Sequence, residues 1–225
     1  TRTITVREPL PPIPTTPLPP NGKVICLTFD DGPSKYTDRL LDILKQYNVK
    51  ATFFVVNTGY ISKVERIAAE GHTVALHTNT HDFDRIYDSE DAYFNDLTRI
   101  QNAVQKYTGI MSTIIRFPGG TSNTISKHNP GIMTRLAYEV QARGFRYFDW
   151  NVDSRDAGGA RSADEVYENV VKGIGSKKFS VVLQHDTQGF SVSAVERIIQ
   201  WGLANNCSFY ALNASSPTMH HGVNN

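Results

Sequence analysis

At 225 residues, 40% of them hydrophobic, the chain can bury one sizeable core and leaves little room for a second domain. Its 23 basic and 22 acidic residues give a net charge of +1, which excludes the strong field expected of a protein that binds nucleic acid or coats a membrane. No apolar run reaches the roughly 18 residues needed to cross a bilayer and no signal segment opens the chain, so no membrane insertion is expected and any export signal is expected to have been removed or left out.

Residues 1–21 come first, with seven prolines between Pro9 and Pro20. Proline fixes φ and lacks an N–H, so this stretch reads as an extended arm or linker, or as a ligand for another domain, and not as a helix. From residue 22 to 213, β-branched and aromatic runs alternate with amphipathic segments, the mark of repeated βα units. Strands are predicted at 23–29, 50–56, 73–77, 113–116, 145–149, 179–183 and 208–212. Helices are predicted at 36–47, 61–70, 89–107, 130–143, 163–174 and 191–204. Leu40, Leu41, Ile43, Leu44 and Tyr47 carry the helical spacing, with Thr37 or Ser34 available as cap. Gly71, Gly144 and Gly202 fall near helix ends, where a left-handed residue stops a helix. Residues 214–225 form a polar tail, expected to be disordered, which contains His220 and His221. Cys26 and Cys207 lack zinc-ligand spacing and read as small core residues or free thiols, a single bridge being open if their strands are neighbours. The repeats indicate a parallel barrel or a doubly wound sheet. In both, ligands meet the carboxyl ends of the strands, so chemistry is sought just after each strand.

The first strand ends in Thr28-Phe29-Asp30-Asp31-Gly32-Pro33. Adjacent strand residues face opposite ways, but a Gly-Pro bend can bring both carboxylates to one place; the same residues also read as a plain turn with two solvated acids. After the third strand comes His77-Thr78-Asn79-Thr80-His81. One helical turn there would set both imidazoles on one face, and with Asp31 they make a two-His, one-carboxylate set suited to Zn²⁺ and also to Fe, Co or Ni. The fourth strand runs into Arg116-Phe117-Pro118-Gly119-Gly120, the fifth into Asp149-Trp150-Asn151-Val152-Asp153-Ser154-Arg155-Asp156, and the sixth into Leu183-Gln184-His185-Asp186. Five of seven strands thus deliver polar residues to one end of the domain.

The set TFDDGP, HTNTH, RFPGG, WNVDSRD and LQHD, in this order, resembles the polysaccharide deacetylases of the NodB-homology type, carbohydrate esterase family 4, over roughly residues 22–213. The resemblance implies a distorted (β/α) barrel of about seven parallel strands and hydrolysis of N-acetyl groups on a polysaccharide. RFPGG and WNVDSRD look most like bacterial peptidoglycan deacetylases. Chitin deacetylation, O-acetyl xylan esterase activity and an inactive carbohydrate-binding protein are the other readings. A wall substrate in turn places the protein outside the cell or facing the wall.

Carried over residue by residue, the resemblance makes Asp31, His77 and His81 the ligands of a divalent metal, Zn²⁺ first and Co²⁺ or Ni²⁺ next. It makes Asp30 the general base, Arg116 the residue that holds the base charged, and His185 the general acid. Asp156 is expected to pair with His185, with Asp153 as the fallback; Asp149 is expected to shape its loop and Asp186 to brace the His185 loop. Trp150 and Leu183 match an apolar slot for the acetyl methyl group. Gly119 stands where the family commonly has tyrosine and Ala157 where it has tryptophan, so a groove-lining side chain is lost while the Gly119 N–H remains as an oxyanion donor. His72, His128, His220 and His221 are given no role.

Overall fold

The computed structural model describes residues 22–225; the proline-rich segment lies outside them. The sheet is built from β1 (Lys23–Asp30), β2 (Thr52–Val55), β3 (Thr73–Leu76), β4 (Ile114–Ile115), β5 (Arg146–Tyr147), β6 (Val152–Asp153), β7 (Phe179–His185) and β8 (Cys207–Phe209). Each of the seven expected strand segments has a counterpart. The extra element, β6, is two residues long and falls inside WNVDSRD, too short for any alternation to reveal. Every pairing is parallel, in the order β5-β4-β3-β2-β1-β7-β6. β7 runs the length of one edge of β1, from Val24↔Phe179 to Asp30↔His185. The other edge is shared: β8 pairs with Lys23–Ile25 and β2 with Thr28–Asp30. The result is a curled, incompletely closed (β/α) barrel.

Among the described residues seven α-helices accompany the strands: α1 (Thr37–Gln46), α2 (Val64–Ala69), α3 (Phe83–Ile86), α4 (Glu90–Thr108), α5 (Ile132–Ala142), α6 (Ala163–Ile174) and α7 (Gly189–Ala204). The period-2 pattern of β1 explains the layers. Ile25, Leu27 and Phe29 join the large cluster formed with Leu40, Leu41, Leu44, Val195 and Ile198 of the helices. Val24 and Cys26 face the other way, into a smaller cluster with Phe54, Ala75, Ile114, Phe148, Val181 and Leu212. A buried Leu or Phe contributes roughly 1.5–3 kcal/mol, so both layers commit β1 to one register. Above the inner cluster the same inward face carries Thr28 and Asp30, so the polar centre begins where the apolar fill stops.

The two cysteines are buried and unbridged: their strands are neighbours, but Cys26 packs in the inner cluster and Cys207 in the outer one. Gly71 and Gly144 do follow helix ends at φ 81° and 84°. Gly202 does not; it lies inside α7, where a Cβ would come within 2.5 Å of the Phe209 ring, so it is small for packing. The tail is ordered. Arg146 donates to the carbonyls of Ala214 and Ser216, Asp149 N–H to Met219 O, and His220 stacks on Tyr147 at 3.7 Å. It runs along the unpaired edge of β5, held by main-chain contacts that no hydrophobic pattern announces.

Candidate active site

The strand ends gather the motif residues at one mouth. Asp30 points into the barrel from the last position of β1 and is 3% exposed. Asp31 would face away in a continued strand, yet it adopts φ 69°, and this left-handed step, rather than the Gly-Pro pair alone, turns its carboxylate to the same side. The turn is braced. Gly32 O accepts from Val56 N–H, Thr58 Oγ1 donates to Pro33 O, and Asp186 sits where a Cβ on residue 32 would fall, 2.0 Å from its Oδ1. Thr37 does not cap α1; its hydroxyl donates to Asp186 Oδ2 at 2.5 Å, and Ser34 donates to Asp186 O. Asp186 is therefore tied to Ser34 and Thr37 and packs against the Asp31-Gly32 turn. Burial raises its carboxyl to about 6.

His77 and His81 do not share a helical turn. The segment between them is a bend ending with His81 at φ 54°, and the rings approach to 5.2 Å between centroids. The bend is held from α4: Asp96 accepts from Asn79 N–H at 2.6 Å and from the Thr80 N–H and hydroxyl. Asp96 escaped the sequence reading; its one signal was a carboxylate on the apolar face of α4, beside Tyr93, Leu97 and Ile100.

His77 Nδ1 lies 2.7 Å from Arg116 O, which only accepts, so this nitrogen carries the proton and Nε2 is left bare. Burial, against the pull of Asp30 and Asp31, lowers its pKa and keeps the ring neutral. Its Nε2 stands 3.5 Å from Asp31 Oδ1, and His81 Nε2 stands 3.2 Å from the same oxygen. Asp31 Oδ1 is buried and has no hydrogen-bond donor among the described residues. An orphaned buried carboxylate oxygen between two imidazole nitrogens, all three ligand atoms within 4.8 Å of one another, fits a divalent cation.

Arg116 is fully buried and holds Asp30. It donates to Asp30 Oδ1 at 2.7 Å, to Thr28 Oγ1, and to the carbonyls of Phe148 and Asp149, with its plane 4.1 Å from the Phe54 ring centroid. Across the mouth, Asp156 rather than Asp153 holds His185. Asp156 Oδ1 meets Nδ1 at 2.7 Å and Oδ2 accepts the His185 N–H at 2.7 Å, while Asp153 is exposed and accepts from Arg155 N–H. Burial would push His185 down, but the Asp156 bond and charge, helped by Asp30 and Asp31, override it and raise the imidazole to about 9. Its Nε2 lies 3.7 Å from Asp31 Oδ2.

Leu183 sits on the inward face, in register with Thr28 and one pleat below His185. Trp150 is half-buried, its ring against Gly120, where a Cβ would meet it at 3.0 Å, and His221 of the tail packs on its edge at 4.6 Å. Gly119 is exposed at φ 76° on the turn closed by Gly120 N–H to Phe117 O. Asp149 binds no reacting group: it accepts from the Thr121 N–H and hydroxyl and from His221 N–H, tying the RFPGG loop to the tail.

The site lies at the carboxyl ends of the strands of a curled (β/α) barrel, where enzymes of this architecture carry their chemistry. Within that architecture, the chain belongs to the polysaccharide deacetylase family, whose profile matches residues 18–135. The catalytic domain of a peptidoglycan N-acetylglucosamine deacetylase from Eubacterium rectale superposes with a TM-score of 0.91 at 53% identity, covering 94% of this chain and 97% of that one. A Bacillus cereus polysaccharide deacetylase gives 0.74 at 33% identity over 90% and 96%. A Bacillus cereus peptidoglycan-N-acetylglucosamine deacetylase is 35% identical over 79% of this chain, which spans 65% of that relative's length.

Proposed function

We propose that this chain removes acetyl groups from N-acetylglucosamine units of peptidoglycan, outside the cell or at the wall. One observation carries the reading: a buried carboxylate, Asp30, and an imidazole, His185, stand beside the Asp31, His77 and His81 set on the paired strands β1 and β7, where Asp30 and His185 are in direct register. A divalent cation, Zn²⁺ first, held by these three residues supplies positive charge for the attacked carbonyl and lowers the pKa of water in the site. Asp30, kept charged by Arg116, takes the proton from water as its oxygen bonds to the acetamide carbon. His185 Nε2–H gives a proton to the nitrogen as the C–N bond breaks, leaving acetate and a free amine. Gly119 N–H serves the developing oxyanion, and Trp150 and Leu183 close on the methyl group. An inactive binding protein would be expected to lose the base or a ligand, and all five of these groups are present.

The test is acetate release from peptidoglycan, chitin oligomers and acetylated xylan by cation-loaded, chelated and Asp30→Asn protein. Cation-dependent release from peptidoglycan, lost in the variant, is expected. Release from chitin or xylan alone moves the substrate, and binding without release from any of the three moves the protein to the non-enzymatic reading.

A further inference from the structure

Most arginines whose side chains are engaged have carboxylates or carbonyls on them: Arg66 reaches Asp38, Asp42 and Glu70, Arg135 reaches Glu90, and Arg197 reaches Asp164. Arg39, Arg85, Arg99, Arg155 and Arg161 are exposed, with guanidinium groups that have no hydrogen bond or ion pair among the described residues, and of these Arg85 and Arg99 lie together. Both line one cleft of about 150 Å³ between α3 and α4, with Ile86, Ala92, Asn95 and Asp96. Ala92, Asn95, Asp96 and Arg99 follow one another at helical spacing, so α4 gives this wall a single face. Asp96 forms no ion pair with either arginine: it is 8% exposed, and its oxygens are taken by the N–H groups of Asn79 and Thr80 and by the Thr80 hydroxyl.

Those same bonds fix where the cleft lies. Asp96 lines the cleft and is also the brace of the bend between His77 and His81, and Arg85 follows His81 by four residues, on the short helix α3. Two guanidinium groups lining one small cleft favour an anion there, and the planar fork of arginine matches a carboxylate with two parallel bonds. Asn95 adds an amide to the rim.

We infer that the Arg85–Arg99 cleft is a subsite for a carboxylate carried by the glycan substrate next to the unit being deacetylated. Peptidoglycan offers such groups on the lactyl ether and stem peptide of its muramic acid units; chitin offers none. The inference rests on the deacetylase reading and narrows it to an anionic glycan.

The experiment compares the parent with an Arg85→Gln, Arg99→Gln double variant on three substrates: peptidoglycan strands, the same strands with carboxylates converted to amides, and chitin oligomers. The parent should prefer the native strands over the amidated ones by about tenfold, the effect of two exposed charge contacts. The variant should lose that preference at unchanged rate on chitin oligomers, and the parent's preference should shrink as salt rises. Equal rates of the variant and parent on native strands, or an equal loss on all three substrates, overturns the subsite. Calorimetric titration with N-acetylmuramyl dipeptide separates the two readings: if the parent releases acetate from nothing, binding that the double variant loses still supports the cleft, and binding that the variant keeps rejects it.

Discussion

Asp156→Asn isolates the electrostatic support of the proposed proton donor. The Asp156 carboxylate is the largest of the influences that lift His185 from 6.5 to about 9, against a burial effect that pushes the other way. With that charge gone, only Asp30 and Asp31 oppose burial and the imidazole should fall back to about its usual value, a change worth about 3 kcal/mol between the two protonation states. At about pH 7.5 the protonated fraction then drops from nearly all to about a tenth, and turnover should fall by tenfold or more. A bound cation lowers the ring's pKa in parent and variant alike, so the difference between them is the quantity to read. The assay is kcat against pH for acetate release: the basic limb should move by two units or more toward acid in Asp156→Asn and stay in place in Asp153→Asn. Asparagine also turns a donor toward the His185 N–H, so a melting curve is recorded alongside. If the limb stays within about half a unit while activity falls, His185 is not the proton donor and the reasoning fails.

Gly32→Ala should lower stability by about 2–3 kcal/mol and weaken cation binding, because the new Cβ lands on a braced Asp186 side chain; recovery of both in a double variant with Asp186→Ala, measured by melting and by Co²⁺ absorption, checks the cause. Burial first, and the Lys50 charge next, depress His72 from 6.5 to about 4 in the fold. The unfolded chain therefore takes the proton first, and stability present above pH 6.5 should be lost as pH falls toward 4, by up to about 3 kcal/mol; denaturant titrations that show no such slope, or the same slope in His72→Gln, would count against it. Adding Zn²⁺ at about a hundred times its dissociation constant should stabilise chelated protein by about 2.7 kcal/mol, and His81→Ala should abolish the shift in a thermal melt. Arg116→Leu strands the Asp30 charge inside the barrel and should cost about 3–5 kcal/mol, seen as a lowered denaturation midpoint.

The fold and most of the site could be read from the chain because each motif follows an apolar β-type run, so polarity switches on where a strand ends. Asp30, Asp31, His77, His81, Arg116, Asp156 and His185 all reach the mouth expected of them. What escaped was set by distant parts of the chain. The left-handed steps at Asp31 and His81 lie in turns that Asp186 packs against and Asp96 bonds to, from 155 and 15 residues away in sequence. The tail escaped because its bonds run largely through carbonyls and amides, which leave no periodic trace: Asn225 alone binds Gly131, Ser126 and Asn129.

β1 begins the described chain, yet it lies between β7 and β8, which end it. A growing polypeptide thus completes Asp31, His77 and His81 early and must wait for Phe179–His185 before β1 gains its long partner and the site gains His185, its proposed proton donor. A fragment holding the first three-quarters of the domain would own the cation ligands and no acid, with the whole edge of its central strand bare. Such a piece is at once inert and adhesive. The separate segment from Ala163 to Asn225 is the natural partner to add back, and reassembly of the two would switch chemistry on only as the barrel closes.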